Sequence, residues 1–137
     1  MREKRDNWLT TLKAKLFPKP PPPWSLEVEE GGFSYVRTGE RTKVRWADVK
    51  EIFAFKRDLF GYDLICIGFR VSDDGTWWEI DEKMGGYVGL MSVAESAFPG
   101  IRTDWFWEVA VPAFVTNLTT LWGEPKIAAI WGAKEKT

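Results

Sequence analysis

Hydrophobic and polar positions change period twice along this chain. Between residues 4 and 17 apolar side chains recur at helical spacing, and at about 100° per residue Trp8, Leu9, Leu12 and Leu16 share one face. Lys4 and Lys15 flank that stripe on one side, Arg2 and Lys13 on the other, so the segment reads as a basic amphipathic helix. Pro18 ends it, because the residue before a proline is pushed out of the α region. Residues 18–23 are five prolines and one lysine, a semi-rigid polyproline spacer.

From Trp24 the period is two. Leu26 and Val28 alternate with Glu27 and Glu29, then Phe33, Tyr35 and Arg37 with Ser34, Val36 and Thr38, then Thr42, Val44 and Trp46 with Lys43 and Arg45. Turns at Glu30-Gly31-Gly32 and Thr38-Gly39-Glu40 separate these runs, which suit an antiparallel meander with one wet face. Further strands are expected at Val49 to Lys56, Asp63 to Val71 and Trp77 to Ile80, the last after a hairpin turn at Asp73-Asp74-Gly75. Past Gly85-Gly86 helical spacing returns: Leu90, Val93, Ala94, Ala97 and Phe98 share it, and Pro99-Gly100 closes it. A short helix is expected from the N-cap Asp104 to about Ala110, and a late strand within Phe114 to Trp122. Lys126 to Trp131 fits either state.

These elements predict an α+β fold. Its body is a strongly bent antiparallel sheet or partly closed barrel of six to seven strands, with one or two helices from the C-terminal half packed against it. The expected organisation is a basic helical arm over residues 1–17, the spacer over 18–23, one α+β domain over 24–132 and a polar tail over 133–137. The length of 137 residues suits a single domain.

Charge sharpens the division. The net charge is −1, but residues 1–23 carry a balance of +4 and the remainder −5. The basic character therefore belongs to the arm. No run of 18 apolar residues is present to span a bilayer, and the N-terminus lacks the apolar stretch of a signal peptide. A cytoplasmic location, peripheral to the membrane if the arm binds lipid, is the default expectation.

Candidate chemistry is sparse. The chain has no His, which removes Ser-His and Cys-His nucleophile pairs and all His-containing zinc sites. The lone cysteine, Cys66, shares a strand face with Leu64, opposite Ile65, Ile67 and Phe69, and reads as a small half-buried hydrophobe. Asp73, Asp74, Glu79, Asp81 and Glu82 form the densest acidic cluster, but turn and strand-end positions explain them better than a catalytic pair does. No cofactor, metal site or catalytic residue is expected. Lys56 and Arg57 adjoin Phe53, Phe55 and Phe60, yet the acidic domain carries no nucleic-acid signature, so nucleic acid is not expected as a partner.

The nine tryptophans are the remaining signal. Trp77 and Trp78 are adjacent in a strand and so face opposite ways; Trp78 goes with Ile80 towards the core and leaves Trp77 outside. Trp77, Trp105 and Trp107 are the candidates for an aromatic contact surface, unless later segments cover them.

The stretch Val44-Arg45-Trp46-Ala47-Asp48-Val49-Lys50-Glu51-Ile52 resembles a crossing in bacterial pleckstrin-homology-like domains, where a strand ending in Trp turns through an acidic residue into the next strand. Val111-Pro112-Ala113-Phe114-Val115-Thr116-Asn117, preceded by Glu82-Lys83-Met84-Gly85-Gly86, is similar to a family of small bacterial proteins of unassigned function. The resemblance spans roughly residues 24–123 and implies a PH-like barrel but no activity. Phosphoinositide-binding domains of that fold use a basic loop between the first two strands. Here the loop is Glu29-Glu30-Gly31-Gly32, whose acidity argues against that ligand.

The functional expectation is a non-enzymatic binding or interaction domain. Its arm, through Trp8, Leu9, Leu12, Lys13, Lys15 and Leu16, would dock on an anionic membrane surface or a protein partner. Pairing of two copies through the arm or a sheet edge is a further option. The alternatives are a small-molecule pocket enclosed by the sheet and a bacterial toxin-neutralising protein.

Overall fold

The computed structural model describes residues 23–59, 61–111 and 116–135. The first sheet is a meander of β1 (Ser25–Glu29), β2 (Gly32–Arg37) and β3 (Glu40–Arg45). The second contains β4 (Glu51–Leu59), β5 (Tyr62–Arg70), β6 (Trp77–Asp81) and β7 (Thr119–Gly123) in the order β6-β5-β4-β7. All pairings are antiparallel. Three helices follow β6: α1 (Tyr87–Ala97), α2 (Phe106–Ala110) and, after β7, α3 (Lys126–Glu135).

The expectation of one bent sheet or partly closed barrel is thus corrected in one respect: the seven strands divide into two sheets of three and four. The cause is the corner after β3. Residues Trp46–Asp48 form one turn of 3-10 helix, which ends the pairing and redirects the chain. Trp46 turns inwards there and packs on Phe33 at 5.4 Å, Phe69 at 6.1 Å and Phe98 at 5.4 Å between ring centres. The first sheet consequently lies over the second instead of continuing it.

The main core fills the space between the sheets. Phe33, Tyr35 and Val44 meet Ile52, Ile65, Ile67, Phe69 and Ile80, and α1 adds Leu90 and Ala94. The far face of the second sheet carries Phe53, Phe55, Leu64 and Cys66, and α3 covers it through Ile127 and Trp131. Burial on both faces explains why β4 and β5 read as nearly continuous apolar runs. Gly68 sits where a Cβ would overlap the Phe53 ring.

Two local devices fix the helices. Gly86 caps α1 at φ +86°, and a Cβ there would overlap the Leu26 carbonyl oxygen. Beside it, the Leu26 N–H donates to the Gly85 carbonyl at 2.7 Å, so the paired glycines serve helix docking on β1. At α3, a buried carboxylate does the work. Glu51 Oε1 accepts from Arg70 Nε at 2.7 Å and from the Ile127 N–H at 3.1 Å, where helical donors lack intrahelical partners. The expected helix cap Asp104 makes no cap; Trp105 occupies that position. α3 continues through Glu135, into the segment expected as a polar tail.

Candidate functional site: a cleft beside Trp78

β6 is an edge of the second sheet, and Trp78 and Ile80 project from the same face of it. Ile80 is sealed in the core, whereas Trp78 lies over its rim and stays 38% exposed. Its ring stands 5.6 Å from that of Tyr35, and the Tyr35 hydroxyl donates to the Glu79 carbonyl at 2.7 Å. Burial, then the Glu79 charge, push the Tyr35 phenol well above its ordinary value, so it remains a protonated donor bridging the two sheets.

Trp78 forms a wall shared by two recesses. One, of about 430 Å³, is lined by Lys43, Val44, Arg45, Asp48, Lys50 and Val71. The other, of about 250 Å³, is lined by Trp24, Tyr35, Thr42, Glu79 and Met84. Together they follow β3 from Thr42 to Arg45. One end is basic and the other aromatic.

The basic side chains differ in their engagement. Lys43 Nζ donates to the Glu30 carbonyl at 2.9 Å and lies 3.8 Å from Glu29. Lys50 pairs with Asp73 at 3.5 Å across a solvent-exposed gap. Arg45 is exposed and, among the described residues, makes no hydrogen bond or ion pair. At the aromatic end, the Arg37 guanidinium stacks 3.9 Å over the Trp24 ring.

The residues singled out from sequence fall elsewhere. Trp8, Leu9, Leu12, Lys13, Lys15 and Leu16 lie outside the described residues. Trp77 packs beneath α3, its ring 5.7 Å from both Phe53 and Trp131. Trp105 is buried in the main core. Trp107 is 74% exposed, beside the exposed Phe106 and Val111. The three tryptophans therefore do not assemble into one aromatic surface. Sequence reasoning missed Trp78, Trp24 and Arg45 as neighbours. The available signal was the row of basic residues on β3, but alternation does not say which strand is an edge.

The acidic cluster is structural. Hydrogen bonds from Ser72 and Thr76 hold the Asp74 carboxyl down at about 2. Lys126 and Lys50 lower that of Asp73. Glu79 pairs with Arg57 at 2.6 Å, Asp81 accepts the Lys83 N–H, and Glu82 accepts the Ile65 N–H. Lys56 is buried and donates to the Ala110 carbonyl at 2.9 Å, with Asp63 at 3.3 Å. Among the described residues no cluster of three or more His, Cys, Asp or Glu is placed to hold a metal ion, and no helix is long and apolar enough to cross a membrane.

Compared with protein-family models, curated proteins and solved structures, the chain matches none.

Proposed function

We propose that this chain is a non-enzymatic binding domain whose ligand lies in the cleft beside Trp78. The observation that carries this reading is the position of Trp78, 38% exposed between a basic and an aromatic recess. A rigid aromatic wall offers contact area at little entropic cost, and ligand sites are typically concave, largely apolar and marked by a few polar groups. Here Trp24, Tyr35 and Met84 would receive the apolar part and Arg45 and Lys50 the anionic part.

Anilinonaphthalene sulfonate, an aromatic ring system with one anionic group, is a suitable first probe. Its binding should weaken at least about tenfold in Trp78→Ala, the equivalent of ~1.4 kcal/mol. It should weaken in Arg45→Glu also, and hold in Trp107→Ala. Dye binding that survives loss of Trp78 but not of Trp107 would remove the cleft from consideration.

That second outcome points to another reading, favoured by the exposed ledge of Phe106, Trp107 and Val111. Together with the basic amphipathic arm, such a ledge would meet a lipid interface or a protein partner. Co-sedimentation with anionic vesicles, lost in Trp107→Glu, is the result this reading requires.

A further inference from the structure

The shape and charge of the cleft also speak to what fills it. The two sheets have four edges, and three are engaged from outside their own sheet. The β1 edge receives Gly85 through the Leu26 N–H, and the β7 edge is met by the Arg102 N–H donating to the Leu121 carbonyl at 2.9 Å. The β6 edge is met by the Tyr35 hydroxyl at the Glu79 carbonyl. Only on β3, among the described residues, is no backbone group hydrogen-bonded by a residue of the other sheet or of the segments after β6.

The register says which groups are free. β2 and β3 join through the two-residue turn Thr38-Gly39, with Arg37 opposite Glu40. The hydrogen-bonded pairs then recur at Tyr35↔Thr42 and Phe33↔Val44, and the Trp46 N–H to the Gly31 carbonyl continues that parity. The N–H groups of Arg41, Lys43 and Arg45 and the C=O groups of Arg41 and Lys43 are therefore directed away from β2, into the cleft side, while the Arg45 C=O caps the 3-10 turn at Trp46–Asp48. Thr42 to Arg45 offer roughly 13 Å of strand at ~3.3 Å per residue, which suits an extended chain better than a compact ligand.

We propose that the occupant of the cleft is an extended acidic segment of another protein, added as a fourth strand beside β3; this rests on the cleft reading above. Main-chain bonds to β3 supply affinity, and alternate side chains supply specificity. On the inner face the added strand lies beside Thr42 and Val44, so its apolar side chains meet Trp78 and the Trp24–Tyr35–Met84 recess. On the outer face it lies beside Arg41, Lys43 and Arg45. Arg41 already pairs with Glu27 and Glu29, reaching across the small β2 residues Gly32 and Ser34, and Lys43 leans the same way. Arg45 lies opposite Gly32 and is left for an acidic side chain of the partner. Basic residues on an edge strand commonly serve only to deter pairing. That role does not account for a half-exposed Trp and an apolar recess facing the same edge.

The test is a random heptapeptide display library selected on the full chain and, in parallel, on Trp78→Ala and Arg45→Glu. Wild type should enrich peptides with alternating acidic and apolar residues. Trp78→Ala should enrich none, and Arg45→Glu, a change at an exposed position, should lose the acidic preference. The best synthetic peptide should slow hydrogen exchange at the Arg41, Lys43 and Arg45 amides. Methylating its alternate backbone nitrogens should weaken it at least about tenfold, the equivalent of losing one or two net hydrogen bonds. No enrichment over Trp78→Ala, or binding that leaves those three amides unprotected, would overturn the strand-addition inference. If the dye still depends on Trp78 in that case, the cleft reading survives alone; if the dye ignores Trp78, both fall.

Discussion

Glu51 and Arg70 are both sealed from solvent, at 0% and 1% exposure, and each would be destabilising without the other. The pair lies 2.7 Å apart, and Arg70 also donates to the Ser72 carbonyl at 2.8 Å. Removing one member of such a pair typically costs ~3–5 kcal/mol, whereas replacing both by apolar residues of similar size is often neutral. Arg70→Met should therefore lower urea stability by about 3–5 kcal/mol. The double variant Glu51→Leu/Arg70→Met should recover part of that loss, the remainder reflecting the Ile127 N–H left without its acceptor, and a double variant no better than the single would show that the carboxylate and its partners are required together. Cys66 gives a pH prediction. Burial, then the Glu79 charge, push its thiol from the ordinary 9.0 up to about 12. Below pH 9 both folded and unfolded chains hold the proton and nothing is lost. Between pH 9 and 12 the unfolded chain releases it first, so stability falls as pH rises through that window. Tyr87, pushed from 10.0 up to about 12 by burial and Glu82, acts with the same sign over a higher range. Cys66→Ala should flatten the lower part of the fall in alkaline denaturation. Alternation along β5 correctly set Cys66 and Leu64 on the face opposite Ile65, Ile67 and Phe69. The same rule aimed Trp78 at the core, because a period of two fixes the face of a residue but not how near its strand lies to the rim.

At the scale of elements, α3 was the least legible. Ile127, Ala128, Ala129, Ile130 and Trp131 are consecutive, so neither a period of two nor one of 3.6 stands out. The helix is decided by tertiary partners. Glu51 accepts from its first turn, and Trp131 sits against Phe55 at 5.3 Å, Trp77 at 5.7 Å and Phe53 at 6.4 Å. Four rings then share one cluster beneath a helix of ten residues. A fully buried Trp costs ~3–5 kcal/mol on truncation, and Trp131 is only half-buried, so Trp131→Ala should cost about 2–3 kcal/mol. It should also diminish the near-ultraviolet circular dichroism of the coupled indoles. A loss within error would mean that α3 is held by its N-terminal carboxylate alone.

For the whole molecule, the strand count and the antiparallel order followed from alternation and turn residues, but the split into two sheets did not. That split depends on Trp46 finding Phe33, Phe69 and Phe98, contacts between residues far apart in the chain. The cleft was hidden for the same reason, since β3 and β6 come together only once the sheets stack. What the sequence does mark is the boundary near residue 23, where a balance of +4 gives way to −5. Among the described residues, the main core and the cluster under α3 already form closed apolar clusters from Trp24 onward. Deleting residues 1–22 should therefore leave a cooperatively folded domain whose melting temperature is shifted by no more than a few degrees. The alternative has a calculable signature. Docking Trp8, Leu9, Leu12 and Leu16 on the domain would bury four large apolar side chains, each contributing ~1.5–3 kcal/mol. Even half of that total corresponds to a drop of about 10 °C for a domain of this size. Calorimetry of the full and shortened chains separates the two outcomes. A drop of that size would show that the apolar stripe is part of the core, and a negligible one would leave it free for an external surface.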